Sequence, residues 1–204
     1  VLAFDPEDYS PAAGPVEKRW ALTFIGSPSP DRLRLLERVV GDLDLGPGAV
    51  RFVVGHWRLV PLIGRRRLHR RSWLFRDGYL DMETLGHGAI GEIYHRSTLC
   101  LNIHQPGTVS GFNMRVFEAA GAGLPQIVER LPGLGDHFRE GEEIACYGDP
   151  EELVATMRRL LAHPEEAAEM GRRAAAVAAA RHTYQHRVQA ILAAMDLGGS
   201  EDGT

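Results

Sequence analysis

The sequence predicts an α/β domain, a doubly wound parallel sheet with helices on both faces. Two observations lead to this prediction. Short β-prone runs alternate repeatedly with segments whose apolar residues recur at helical spacing, and this alternation is typical of parallel strands joined by crossover helices. The chain has 204 residues, of which 44% are hydrophobic and 25% charged, and these values are ordinary for one globular domain with a sizeable core.

The first half of the chain contains two predicted strands and one predicted helix. Residues 1–19 are predicted to be an irregular lead-in, because Pro and Gly interrupt any regular pattern. The runs Trp20–Ile25 and Val50–Val54 are β-prone, and glycine follows each of them. Between the two runs, Asp31 is predicted to cap a helix with a periodic apolar face. The stretch His56–Thr84 gives no clear pattern.

The second half of the chain repeats the alternation and ends in helices. The predicted elements are, in chain order, a helix over Ile90–Arg96, a strand over Thr98–Ile103, a loop over His104–Gly111, a helix over Asn113–Ala122, a strand over Gln126–Val128, a strand over Ile144–Tyr147, a helix from its Asp149 cap through Leu160, and a long helical segment over Pro164–Met195, bent near His182. The polar, Gly-rich residues 198–204 are predicted to be disordered. This order predicts a Rossmann-like fold with a long C-terminal helical segment.

The charge pattern narrows the classes of partner. The formal net charge of −4 argues against a dedicated nucleic-acid-binding protein. Between Asp44 and Asp77 no acidic residue occurs, and this stretch carries eight arginines: Arg51, Arg58, Arg65, Arg66, Arg67, Arg70, Arg71 and Arg76. Such a basic block suits a polyanion or a phosphate-bearing ligand. A solvated basic loop explains the block at least as well.

The cysteines and the apolar runs bear on the compartment. Cys100 and Cys146 lie far apart, and the sequence has no Cys-x-x-Cys motif, so a reducing, cytoplasmic setting fits. No apolar run approaches the length of about 18 residues that a membrane span needs, so no transmembrane segment is predicted. The chain begins at Val1 without a signal-peptide pattern, and it reads as if it starts within a longer protein.

Two loops are expected at the carboxyl edge of the sheet, where sheets of this kind bind ligands. In the loop after the first strand, Gly26 permits close backbone approach, and Arg32 is placed to reach a phosphate from the first helical turn. In the loop before the helix at 113–122, Gly111 permits a sharp turn. The N–H groups around Phe112 and Asn113 are then placed to hold a diphosphate.

Three further patterns are candidate ligand sites, and only the first leaves a ligand open. Glu118 lies in the helix after the second loop, where a carboxylate can accept both hydroxyls of a ribose or is an ordinary surface charge. Residues 86–91 read Gly-x-Gly-x-x-Gly but follow a polar segment rather than a buried strand, so a nicotinamide dinucleotide is not predicted. His182 and His186 share a helix face but lack a third ligand, so no metal site is predicted.

Several segments together resemble a known family. The segments, in chain order, are Asp5–Tyr9, Phe24–Ser27 with Arg32, Leu101–His104, Asn113–Gly123, Phe138–Ile144 and His182–Arg187. They resemble the C-terminal, donor-binding domain of GT-B glycosyltransferases, and among these the CgeB-like group 1 family. The resemblance covers about residues 5–195, and the order and spacing of the segments are more specific than any one of them.

The resemblance implies two Rossmann-like lobes with the active site in the cleft between them. This lobe, residues 20–197, would bind a nucleotide-diphosphate sugar, and residues 1–19 would be the linker to an N-terminal lobe in the same or another chain. That N-terminal lobe would bind an acceptor that the sequence does not identify. GT-B enzymes generally need no metal, because helix N-termini and cationic side chains stabilise the leaving diphosphate.

The resemblance also implies roles for individual residues. Glu118 would bind the ribose, and Arg115 would brace its loop or approach the phosphates. Ser110 stands where many retaining relatives carry a glutamate, so it offers a sugar hydroxyl a hydrogen bond but no charge. The implied donor-binding residues are Gly26, Ser27, Arg32, His104, Ser110, Gly111, Phe112, Asn113, Arg115 and Glu118. No catalytic residue is assigned.

Three functions from different classes follow from these observations. The first is glycosyl transfer from a nucleotide-activated sugar, with this chain as the donor-binding lobe. The second is a non-catalytic module that binds a nucleotide or nucleotide sugar. The third is an interaction domain that uses the basic block on an anionic surface, and the net negative charge of the chain counts against it.

Overall fold

The structure is a computed structural model that describes residues 2–55, 72–105, 107–108 and 111–196. Within that part of the chain, six parallel strands form one sheet in the order β3-β2-β1-β4-β5-β6. The strands are β1 (Trp20–Gly26), β2 (Val50–Val54), β3 (Leu80–Asp81), β4 (Ser97–Asn102), β5 (Gln126–Glu129) and β6 (Ala145–Tyr147). The strand order reverses between β1 and β4, so the predicted Rossmann-like, doubly wound fold is confirmed.

Helices cover both faces of the sheet. They are α1 (Pro6–Tyr9), α2 (Pro30–Asp42), α3 (Trp73–Arg76), α4 (His87–His95), α5 (Met114–Gly121), α6 (Pro150–Ala162), α7 (Pro164–Arg181) and α8 (Tyr184–Asp196). One apolar cluster joins the sheet to α2 and α6, and a second joins its other face to α4, α5 and α7. None of these helices is long and apolar enough to cross a membrane, as judged over the described residues.

The N-terminal cap of α2 differs from the prediction. Ser29, not Asp31, is the N-cap residue, and its Oγ accepts a hydrogen bond from the backbone N–H of Arg32 at 3.3 Å. Pro30 occupies the first helical position, which its fixed φ favours, and this places the cap one residue earlier. Asp31 therefore lies in the first turn, where it pairs with Arg34.

Exchanging these two side chains for alanine tests the corrected cap. We expect Ser29→Ala to lower the free energy of unfolding by about 1 kcal/mol, because a backbone N–H of the first turn loses its acceptor. We expect Asp31→Ala to cost at most about 0.5 kcal/mol, because its ion pair is exposed. Urea unfolding of both variants gives the comparison, and a larger loss in Asp31→Ala would contradict the assignment.

The lead-in over residues 1–19 is more ordered than the sequence indicates. It contains the short helix α1, and Phe4 and Tyr9 are 2% and 1% exposed within the second apolar cluster. Phe4 forms a parallel bridge with Thr183, donating from its N–H to the carbonyl of His182 and accepting from the N–H of Tyr184, both at 3.2 Å. The lead-in is thus part of the packed domain.

Other differences concern segments with weak or absent patterns. Helix α3 and the two-residue strand β3 lie in the stretch for which no element is predicted. The predicted C-terminal helical segment is divided at His182 and Thr183 into α7 and α8, at the point where a bend is predicted. The predicted disordered tail, residues 198–204, lies outside the described residues.

Candidate functional site

A cleft of about 330 Å³ opens at the carboxyl ends of β1, β2 and β4, beside the point where the strand order reverses. The residues that line it include Gly26, Ser27, Arg32, Glu83, His87, Asn102, Gln105, Asn113 and Arg115. Sheets of this class bind ligands at this position, because loops and helix N-termini converge there.

The loop between β1 and α2 forms one wall of the cleft. A Cβ added to Gly26 would lie 2.8 Å from the ring of Phe24, so a larger residue would have to displace that ring. The Oγ of Ser27 accepts a hydrogen bond from Gln105 Nε2 at 3.1 Å, which joins this wall to the loop after β4. Both glycine and serine thus lie where the sequence places them, at the edge of the cleft.

Arg32 lines the cleft and hydrogen-bonds to two of its loops. Its Nη1 donates to the carbonyl of Ser27 at 2.9 Å and its Nη2 to the carbonyl of Ile103 at 2.6 Å. Its buried Nε has no hydrogen-bond partner among the described residues, and no carboxylate of those residues forms an ion pair with it. Burial lowers the pKa of Arg32, while Tyr147 and Glu129 raise it. Arg32 therefore supplies a buried cation that joins two loops.

Helix α5 begins at the opposite wall. Asn113 is its N-cap residue but makes no side-chain capping bond, and its buried Oδ1 has no partner among the described residues. Arg115 lines the cleft and donates from Nη1 to Glu118 Oε2. Glu118 is 1% exposed and lies behind Arg115, away from the cleft lining. The surface-charge interpretation of Glu118 is therefore wrong, and its ribose-binding role stays a prediction.

Of the other predicted site residues, Gly111, Phe112 and His104 are not among those that line this cleft. Gly111, with φ of +82°, and Phe112 line a second cavity of about 420 Å³ together with His137. His104 is 4% exposed, and its ring meets Phe112 edge to face. Its ring nitrogens have no hydrogen-bond partner among the described residues, although Nδ1 lies 3.8 Å from Glu129 Oε2. Burial lowers the pKa of His104, Glu129 raises it and Arg32 lowers it. Ser110 lies outside the described residues.

The basic block is only partly described. Arg51 pairs with Asp81 and Glu83, and Arg76 pairs with Asp77. Six of its arginines lie outside the described residues: Arg58, Arg65, Arg66, Arg67, Arg70 and Arg71. The two described members are therefore paired with carboxylates, and Arg51 holds Glu83 at the cleft.

Sequence reasoning missed His87, Glu83, Asn102 and Gln105 as cleft residues. The Gly-x-Gly-x-x-Gly segment contains a signal for the first of them, because Gly86 is the N-cap of α4 and His87 its first residue. The preceding strand β3 has only two residues, so the segment lacks the buried strand of a dinucleotide fingerprint. In the described ranges, no three His, Cys, Asp or Glu side chains form a group that could hold a metal ion.

Comparison with known families decides the assignment. A family model described as "Glycosyl transferase-like" matches residues 47–193, which is more than half of the chain. The chain belongs to the glycosyl transferase-like family. The matched region of this glycosyl transferase-like chain runs from the turn before β2 into α8. It thus includes the wall of the cleft at which α5 begins. No functionally curated protein matches the chain.

Solved glycosyltransferase structures share the fold of this glycosyl transferase-like chain. Sucrose-phosphate synthase from Thermosynechococcus elongatus has a TM-score of 0.71 at 17% identity, over 98% of this chain and 52% of that one. Anabaena HepE in complex with UDP and glucose has a TM-score of 0.72 at 16% identity, over 95% and 55%. The C-terminal domain of the group 1 glycosyl transferase LpcC from Francisella tularensis has a TM-score of 0.66 at 11% identity, over 88% and 98%.

The TM-scores show a common fold, and at identities of 11% to 17% the comparison extends to the fold alone. The chain spans about half the length of sucrose-phosphate synthase and of HepE, whereas it matches nearly all of the LpcC C-terminal domain. The predicted likeness to GT-B glycosyltransferases is thus confirmed at the level of fold and family.

Proposed function

We propose that this chain is the C-terminal, donor-binding lobe of a CgeB-like GT-B glycosyltransferase that transfers a sugar, in our view a hexose, from a nucleotide-diphosphate sugar to an acceptor. The observation that carries the proposal is the cleft at the reversal of strand order, which has a buried cation and a helix N-terminus in its walls. The likeness to HepE, whose structure holds UDP and glucose, supports the class of ligand.

The proposed chemistry is electrostatic. Breaking the bond between sugar and diphosphate leaves negative charge on the nucleoside diphosphate. The buried guanidinium of Arg32, the N-terminus of α5 and the cleft-lining Arg115 would stabilise that charge without a metal ion. Arg32 and the N-terminus of α5 are fixed before the reaction and need little reorganisation during it, which is the source of their catalytic effect.

The ribose and sugar contacts remain part of the proposal. Because Arg115 covers Glu118, we propose that Arg115 turns towards the diphosphate when the donor binds and so frees the carboxylate for the ribose hydroxyls. Gly111, Phe112 and Ser110 would then border the sugar, and His104 would support Phe112.

A second lobe, in the same or another chain, is proposed to bind the acceptor. Helix α8 presents large apolar side chains that are 45% to 68% exposed: Tyr184, Val188, Ile191, Leu192 and Met195. The structural relatives are about twice as long as this chain. We therefore propose that an acceptor-binding lobe, corresponding to the other half of those relatives, covers this face.

The two cysteines bear on the proposed cytoplasmic location. The thiols of Cys100 and Cys146 are buried and free, and burial raises the pKa of each to about 12, which fits that location.

A non-catalytic binding module is the second candidate. The observation that favours it is the scarcity of carboxylates at the cleft: among the described lining residues only Glu83 has one, and Arg51 pairs with it. The two candidates differ in turnover. An enzyme lobe releases uridine diphosphate from uridine diphosphate glucose once the acceptor lobe and an acceptor are present, whereas a module binds the donor without release.

Nucleotide titration of the isolated chain tests donor binding. We expect at least one of uridine, guanosine and adenosine diphosphate to bind with micromolar to millimolar affinity. Arg32→Met is expected to weaken that binding about tenfold or more, because a hydrogen-bonded charge is lost. Arg32→Lys keeps the cation but cannot span both carbonyls. Its nucleotide affinity is expected to lie between those of the unchanged chain and of Arg32→Met.

Arg34→Met is the matched control, because Arg34 lies on the same helix, is exposed and faces away from the cleft. It is expected to bind like the unchanged chain, and thermal unfolding checks that Arg32→Met is folded. Absence of binding by all three nucleotides, or equal losses in the Arg32 and Arg34 variants, would rule out the donor-site assignment.

A further inference from the structure

His87 projects into the rim of the cleft and is held there by a buried tyrosine. Tyr9 Oη and His87 Nδ1 are 2.8 Å apart, and the two rings meet edge to face with their centroids 5.9 Å apart. Tyr9 is 1% exposed, whereas the side chain of His87 is exposed and lines the cleft. An exposed imidazole is thus oriented by a group that belongs to the core.

The packing of α1 on α4 fixes this pair. A Cβ added to Gly91 would lie 2.4 Å from the carbonyl oxygen of Asp8, so the two backbones approach each other directly at that point. Tyr9 follows Asp8 in α1, and His87 lies one helical turn before Gly91 in α4. The last glycine of the Gly-x-Gly-x-x-Gly segment therefore has a packing role that brings the hydroxyl to the imidazole.

The hydrogen bond selects one tautomer of the imidazole. Burial raises the pKa of Tyr9 well above its ordinary value and Glu118 raises it further, while the charge and hydrogen bond of Arg115 lower it. The hydroxyl therefore keeps its proton at neutral pH. The hydrogen-bond partner of Tyr9 Oη among the described residues is His87 Nδ1, and we assign this nitrogen as the acceptor of the hydroxyl proton. In the neutral imidazole the hydrogen then resides on Nε2.

We propose that His87 binds a phosphate group of the nucleotide-diphosphate donor through Nε2–H, and that Tyr9 positions it for this contact. The inference rests on the proposed function. Nε2 has no hydrogen-bond partner among the described residues. Arg115 and Arg32 line the same cleft, so an anion there meets two cations. Helix α4 is nine residues long and begins at His87. Its first turn therefore adds unpaired backbone N–H groups beside the imidazole.

Affinity measurements on the whole chain separate this role from a structural one. We expect His87→Ala to weaken uridine diphosphate binding about tenfold, because a hydrogen bond to a charged acceptor is lost. Uridine, which has no phosphate, is expected to bind His87→Ala within about twofold of the unchanged chain. His87→Gln keeps an N–H donor at nearly the same place and is expected to recover most of the affinity.

Tyr9→Phe tests the positioning role, because it keeps the ring in the core and removes the hydroxyl. We expect about fivefold weaker uridine diphosphate binding, the effect of losing one neutral hydrogen bond. Nitrogen NMR of His87 is expected to show the Nε2–H tautomer in the unchanged chain and a mixture of tautomers in Tyr9→Phe. Glu92→Ala is the control, since Glu92 lies on the same helix outside the cleft lining and forms an exposed pair with Arg96.

The results that overturn the inference differ from those that overturn the proposed function. Unchanged uridine diphosphate affinity in His87→Ala, an equal loss for uridine, or the Nδ1–H tautomer in the unchanged chain would each refute the role of His87 while donor binding stands. If the unchanged chain binds no nucleoside diphosphate, the proposed function fails, and the phosphate contact of His87 fails with it.

Discussion

Replacing Glu118 with alanine is expected to lower the free energy of unfolding by about 3 kcal/mol or more, because it leaves the partly buried guanidinium of Arg115 without its carboxylate. The side chain of Glu118 is 1% exposed and that of Arg115 is 25% exposed, so water replaces the lost partner only in part. Tyr9 and Tyr94 also lie within the electrostatic influence of this pair. Urea-induced unfolding of the variant measures the loss.

Two companion variants decide whether the pair itself is responsible. Glu92→Ala removes the carboxylate of an exposed pair with Arg96 and is expected to cost less than about 0.5 kcal/mol. The double variant Arg115→Met with Glu118→Leu removes both charges and is expected to recover most of the stability, because no buried charge is left unpaired. A loss below about 1 kcal/mol in Glu118→Ala would show that Arg115 finds another partner.

Replacing Phe4 with alanine is expected to cost about 3–5 kcal/mol, the usual loss for a fully buried phenylalanine. The ring of Phe4 occupies the space above Gly121, where an added Cβ would lie 2.4 Å from it. Removing the ring leaves a cavity between the lead-in and α5. Because the Phe4 backbone bonds to the junction of α7 and α8, amide hydrogen exchange at that junction is expected to accelerate as well.

Leu2→Ala is the matched control for Phe4→Ala. Leu2 is 39% exposed and precedes the bridge, so its truncation is expected to cost at most about 0.5 kcal/mol. If both variants lost the same small amount of stability, the lead-in would have to be regarded as a loosely attached segment, and the buried position of Phe4 would be wrong.

The elements that the sequence predicted correctly are those with a local signature. Strand β2 is apolar except for Arg51, and β4 has an apolar centre over residues 99–101, as is common for strands buried on both faces. Helix α6 carries its own start signal in Asp149 and Pro150, and Asp149 accepts from the N–H of Glu152 as predicted. Signals of this kind act within a few residues and need no knowledge of the rest of the fold.

The features that escaped prediction depend on contacts between distant segments. Strand β3 has two residues and α3 has four, which is too short for a period to be visible. Nothing near Tyr9 in the sequence announces a partner at His87, 78 positions away. The burial of Glu118 is not visible in the sequence, because it results from the tertiary packing of α5.

The bridge between Phe4 and Thr183 also bears on the order of folding. It joins residues near the two ends of the described chain, and closing so long a loop costs more chain entropy than forming neighbouring contacts. Contacts of high sequence separation are slow to form. Tyr9 belongs to the segment that this bridge anchors, so we expect the rim of the cleft at His87 to be completed only after the junction of α7 and α8 has folded.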